Sequence, residues 1–69
     1  MSAEERIAVE LKKSGITKAA LCRMIGMSPG TLYPSLSGNR ELRANEFLAI
    51  CQALRLDPWE MAGVSRPVA

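Results

Sequence analysis

Ile16-Thr17-Lys18-Ala19-Ala20-Leu21-Cys22-Arg23-Met24-Ile25-Gly26-Met27-Ser28-Pro29-Gly30-Thr31-Leu32 is the stretch on which the fold turns. Ala20, Leu21, Met24 and Ile25 recur at three- and four-residue spacing, which belongs to a helix and not to a strand. Thr17 stands where a helix N-cap is wanted, and Gly26 supplies a residue able to stop a helix in a left-handed conformation. Ser28-Pro29 is a second start signal, a capping hydroxyl followed by a first-turn proline. The stretch reads as two short helices joined by a short turn.

Working outward, the same punctuation recurs. Ser2 and Glu5 have capping-box spacing ahead of a first helix whose apolar face is Ala3, Ile7, Ala8 and Leu11. Lys12 and Lys13 fall in its last turn, where cations suit the macrodipole, and Ser14-Gly15 ends it. The third helix runs from Ser28 towards Gly38, and Asn39 to Arg43 forms a polar connection. Phe47, Leu48, Ile50, Cys51 and Leu54 give the fourth helix the widest apolar stripe, so it is expected at the centre. Asp57-Pro58-Trp59-Glu60 combines N-cap, first-turn proline and a capping-box Glu for a short fifth helix closed by Gly63. No stretch alternates with period two. The fold class is therefore all-α, a compact bundle of five short helices over 1–63, with 64–69 as a flexible C-terminal tail.

Composition narrows the function. The 69 residues suffice for one small core, and 48% hydrophobic content is that of a globular chain. No apolar run is long enough to span a membrane and the N-terminus lacks a signal-peptide pattern, so the chain reads as cytoplasmic without a membrane partner. With two cysteines and no histidine, no metal site, no cofactor and no catalytic nucleophile–base pair can be named, and an enzyme is not expected. Cys22 and Cys51 read as small buried apolar residues, Met24, Met27 and Met61 as gap-fillers, and Trp59 as a lid over the core.

The placement of charge says more than its net value of +2. Residues 1–11 carry Glu4, Glu5 and Glu10 against Arg6. Residues 12–43 carry Lys12, Lys13, Lys18, Arg23, Arg40 and Arg43 against Glu41 alone. Residues 44–69 carry Arg55 and Arg66 against Glu46, Asp57 and Glu60. The basic block coincides with the second and third helices and their flanking loops, a coincidence that gives it more weight than a merely solvated charged face.

The segment from Ile16 to Ser28, followed by Thr31-Leu32, Ser37-Gly38-Asn39-Arg40 and the apolar fourth helix, resembles the helix-turn-helix of the phage repressor and Cro-type (lambda-repressor-like) family. The resemblance extends over about residues 6–63. It implies a sequence-specific DNA-binding transcriptional regulator of prokaryotic or phage origin, with the third helix in the major groove of double-stranded DNA and the second across the backbone. The base-contacting positions it implies are Ser28, Pro29, Gly30, Tyr33 and Ser37. The phosphate-contacting positions are Thr17, Lys18, Thr31, Asn39, Arg40 and Arg43. Small members of the family often pair through their C-terminal segment, which implies a palindromic operator and a weak homodimer through Trp59, Met61 and Val64. The chain would be a complete Cro-like regulator or the DNA-binding piece of a longer one.

The chain departs from the family pattern at several positions, among them Arg43 at the expected N-cap of the fourth helix. Pro29 and Gly30 replace the usual long polar side chains, and neither can make a bidentate contact to a base. Pro34 lies inside the third helix, which is expected to keep its Ser28 start and bend at Pro34. Arg55 replaces the usual Gly after the fourth helix. The poor base-reading side chains at Pro29 and Gly30 favour an alternative, an antitoxin- or antirepressor-like interaction module that keeps the fold with weakened DNA readout.

Overall fold

Ser2 opens the first helix by a reciprocal pair of bonds. Its hydroxyl accepts from the Glu5 N–H at 3.1 Å and its own N–H donates to Glu5 Oε1 at 3.0 Å. That box, acids in the first turn and lysines in the last make α1 (Ala3–Ser14) the longest helix. It is followed by α2 (Lys18–Ile25), α3 (Pro29–Leu36), α4 (Ala44–Leu54) and α5 (Pro58–Ala62). The computed structural model describes residues 1–66; among them every regular element is a helix, and the last three residues of the expected tail lie outside the described residues.

The core is a single cluster to which all five helices contribute. Ile7 and Leu11 come from α1, Leu21 and Cys22 from α2, Leu32 and Leu36 from α3, Ile50 and Cys51 from α4, and Met61 from α5. Removing an aliphatic side chain of this size from water stabilises by about 1.5–3 kcal/mol, so these few residues dominate the energetics of so short a chain. The packing places α2 against α3 and α4, while α1 crosses α3, α4 and α5. The centre is thus shared between α1 and α4 and is not α4's alone.

Two polar clips hold α1 to the rest. Glu4 Oε2 accepts from the Leu42 N–H at 2.9 Å, tying α1 to the α3–α4 connection. Arg6 donates to the Met61 carbonyl at 3.2 Å, satisfying the C-terminal end of α5. A Cβ at Gly63 would collide with the Arg6 guanidinium, and φ there is 76°. The positive φ is the stronger constraint on Gly63, since the Arg6 guanidinium ends a flexible side chain.

Several sequence expectations need correction. Met24 is 53% exposed, so it fills no gap in the core; α2 is only two turns long, and its two buried residues, Leu21 and Cys22, sit adjacent rather than along a stripe. Met61 is buried and cannot belong to an exposed dimer contact. Glu60 forms no capping box. Asp57 instead accepts from the Trp59 N–H at 2.9 Å and from Arg66 at 2.7 Å, and the Arg66 hydrogen bond, with the Trp59 N–H contributing less, holds its carboxyl below the usual range.

Pro34 does not interrupt α3, which keeps its Ser28 start and runs unbroken to Leu36. The Ser37 N–H reaches the Tyr33 carbonyl at 3.0 Å across the proline, and Ser35 Oγ donates to the Thr31 carbonyl at 3.0 Å. These bonds, with Leu32, Ser35 and Leu36 buried, hold the helix together on both sides of the residue that lacks a donor.

Candidate nucleic-acid interface

The start of α2 is an exposed helix N-terminus with a cation on it. Thr17 Oγ1 accepts from the Ala20 N–H at 3.1 Å, and Lys18 follows as the first helical residue. Gly26 ends α2 at φ 70°, and the Met27 N–H then bonds the Cys22 carbonyl at 3.0 Å. This left-handed closure turns the chain sharply and delivers Ser28 as the start of α3. Cys22, buried between the two helices, is small enough to let them approach.

α3 is two-faced. Leu32, Ser35 and Leu36 face inward, whereas Ser28, Pro29, Gly30, Tyr33 and Ser37 are exposed. Every base-contacting position implied by the sequence therefore lies open to solvent. Lys18 Nζ sits 5.5 Å from the centre of the Tyr33 ring, within cation–π range, so α2 and α3 present one joined surface. Ser28 does not use its hydroxyl to cap the backbone; it pairs with Thr31 Oγ1 at 2.9 Å. Ser37 Oγ donates to the Tyr33 carbonyl at 2.9 Å, a back-bond that leaves its oxygen as an acceptor.

The connection after α3 contains the main revision to the expected phosphate clamp. Arg40 grips Glu46 with two bonds, at 3.0 and 3.1 Å, and donates to Ser35 Oγ at 3.0 Å. It is engaged inward, locking the back of α3 to the start of α4. Glu46 also accepts from the Arg43 N–H at 2.8 Å. The Arg40 hydrogen bond first, and the Arg43 N–H second, hold the Glu46 carboxyl below its ordinary range. Asn39 and Arg43 remain exposed, as do Thr17 and Lys18 at the start of α2, and Thr31 is half-buried.

Two cations were missed by sequence reasoning at the level of sites. Arg23 lines an open depression between α2 and α3 together with Ala19, Met27, Ser28 and Pro29. Lys12 lines another with Ile16 and Lys18. Both belong to the basic block, and that was the available signal. Lys12, Lys18, Arg23 and Arg43 form no ion pair among the described residues.

A different surface lies on the α4–α5 side. Phe47, Leu48, Pro58, Trp59, Ala62 and Val64 line an apolar depression of about 400 Å³. Leu48 is 53% exposed, Trp59 39% and Val64 54%, so Trp59 walls this depression more than it covers the core.

No group of side chains among the described residues could hold a metal ion, and no helix among them is long and apolar enough to cross a membrane. The two helices, their glycine turn and the cationic face define a helix-turn-helix DNA-binding domain. The chain belongs to the family described as the Cro/C1-type HTH DNA-binding domain, which matches residues 6–65. No curated protein and no solved structure is significantly similar to it.

Proposed function

We propose that this chain is a non-enzymatic, sequence-specific transcriptional regulator of prokaryotic or phage type, acting on double-stranded DNA in the cytoplasm. α3 lies in the major groove and α2 crosses the backbone. The observation that carries this reading is the joined α2–α3 surface, where the open face of α3 adjoins Lys18 at the Tyr33 ring and Arg23 beside Ser28 and Pro29. Ser28, Pro29, Gly30, Tyr33 and Ser37 meet base edges. The α2 N-terminus with Thr17 and Lys18 binds one phosphate, and Thr31, Asn39 and Arg43 bind others. Arg40 positions this second group from behind.

The exposed depression at Leu48, Trp59 and Val64 supports a weak two-fold contact between copies, without Met61. Paired recognition helices would then meet half-sites ~34 Å apart on a palindrome. The same depression favours the second reading, an antitoxin- or antirepressor-like module in which that surface takes another protein. Selection of bound duplexes from a random-sequence library separates the two. Enrichment of a palindrome supports the regulator, and weak binding without enrichment supports the interaction module.

A further inference from the structure

Gly30 is the one glycine in the chain that the fold leaves unexplained. The other four have φ between 70° and 85°, where side chains are strained. Gly30 lies within α3 without a positive φ, and a Cβ built on it meets nothing within 4 Å. Gly30 is the second residue of α3, where alanine would still be the better helix former. No turn and no neighbour offsets that penalty here. A side chain absent from an exposed helix face, against the helix's own interest, suits a place where something outside the protein approaches the backbone closely.

A second observation falls on the same peptide. The residue that would donate to the Gly30 carbonyl in a regular helix is Pro34, which has no N–H. Two apolar rings share this exposed part of α3, Pro29 next in the chain and Tyr33, whose ring lies under Lys18. Neither Pro29 nor Gly30 has a side chain able to hydrogen-bond a base. The site therefore offers a bare backbone, an acceptor lacking its helical donor, and apolar walls.

We propose that Gly30 is a specificity-determining residue that reads an A·T base pair with its main chain. The inference rests on the DNA-binding reading above. An A·T pair presents an amino donor on adenine and a methyl group on thymine in the major groove. The Gly30 carbonyl accepts from the adenine amino group, and the Pro29 and Tyr33 rings take the thymine methyl. A methyl at position 30 keeps the helix off the base edges.

The test uses the full chain and a duplex selected by it from a random-sequence library. Gly30→Ala should melt at a higher temperature than the parent yet bind that duplex about tenfold or more weakly, the loss expected when one methyl overfills a close contact. The loss should be concentrated at one A·T pair. Uracil in place of its thymine should weaken the parent and leave Gly30→Ala unchanged. A Gly30→Ala protein that binds as tightly as the parent, or that loses affinity equally on every sequence, overturns the proposal. In that case a Lys18→Ala variant that still loses affinity for the selected duplex shows that the DNA-binding reading survives on its own. Failure of the parent to enrich any duplex overturns both.

Discussion

α1 and α3 sit against each other in the core yet are built on opposite terms. α1 has a complete capping box, acids in its first turn, lysines in its last and a left-handed glycine at its end. α3 has a start serine whose hydroxyl caps nothing, no charge in either terminal turn, and Gly30 and Pro34 in its length. Each buries a pair of aliphatic side chains, Ile7 and Leu11 in α1 and Leu32 and Leu36 in α3, and Leu32 is as inaccessible as Ile7. α1 is thus held by its own sequence as well as by packing, and α3 almost entirely by packing. Gly30 is exposed on the outward face of α3, and Pro34 is half-buried next in the chain to Tyr33, whose ring lies under Lys18. Local rules broken on an exposed face, with the inward face intact, point to selection for contact rather than for stability.

The sharpest way to break this contrast is at the packing that carries α3. Leu32→Ala should destabilise by about 2–5 kcal/mol, a large part of the stability of a domain this small. Urea or thermal unfolding measures it, and a loss well under 1 kcal/mol would mean that α3 is not held from inside. Pro34→Ala should act in the opposite direction, because the new N–H can reach the Gly30 carbonyl. A gain of up to about 3 kcal/mol is expected in the same unfolding measurement, and a neutral result would remove Pro34 from the account of why α3 is weak.

These two substitutions also mark what could and could not be read from the chain. Caps, glycine stops and the order of five helices depend on residues within four positions of one another, so Ser2, Thr17, Gly26 and Asp57 declared their places. Burial within helices of five to eight residues did not. One or two turns cannot separate an inward from an outward methionine: Met24 is exposed where a gap-filler is expected, and Met61 fills the core as expected but cannot also serve the C-terminal pairing contact. The Arg40–Glu46 pair was illegible for another reason. It spans a loop and a helix start at a separation of six residues, which no helical spacing rule covers. Arg40 therefore looked like one more cation of the basic block. The helix-turn-helix surface itself was legible, since its exposed positions follow from the turn and the buried Leu32.

Smaller effects sharpen the comparison from the side of α1. Ser2→Ala removes one half of the capping box and should cost about 1 kcal/mol, whereas Ser28→Ala should change stability less because that hydroxyl caps no backbone group. Equal losses in thermal melts would erase the distinction between the two starts. Acidification tests the latch behind α3. Arg40, with the Arg43 N–H adding, holds the Glu46 carboxyl down, so its contribution is present above the ordinary glutamate value of 4.5 and is lost as pH falls through the lower folded value. Melting temperature should be nearly flat around neutrality and drop below about pH 4.5. Glu46→Gln should lower the neutral-pH melting temperature and blunt that drop. The remainder of the acid transition belongs to Glu5, held down mainly by the Ser2 N–H, and to Asp57, held down mainly by Arg66.

Amide chemical-shift mapping with a selected DNA duplex tests the central claim most directly, because it reports which face of the molecule meets the nucleic acid. The largest perturbations should fall on Thr17 and Lys18, on 28–33 and on Ser37 to Arg43, with the first turn of α1 little affected. Perturbations centred on Leu48, Trp59 and Val64, with the α2–α3 surface unchanged, would contradict the account.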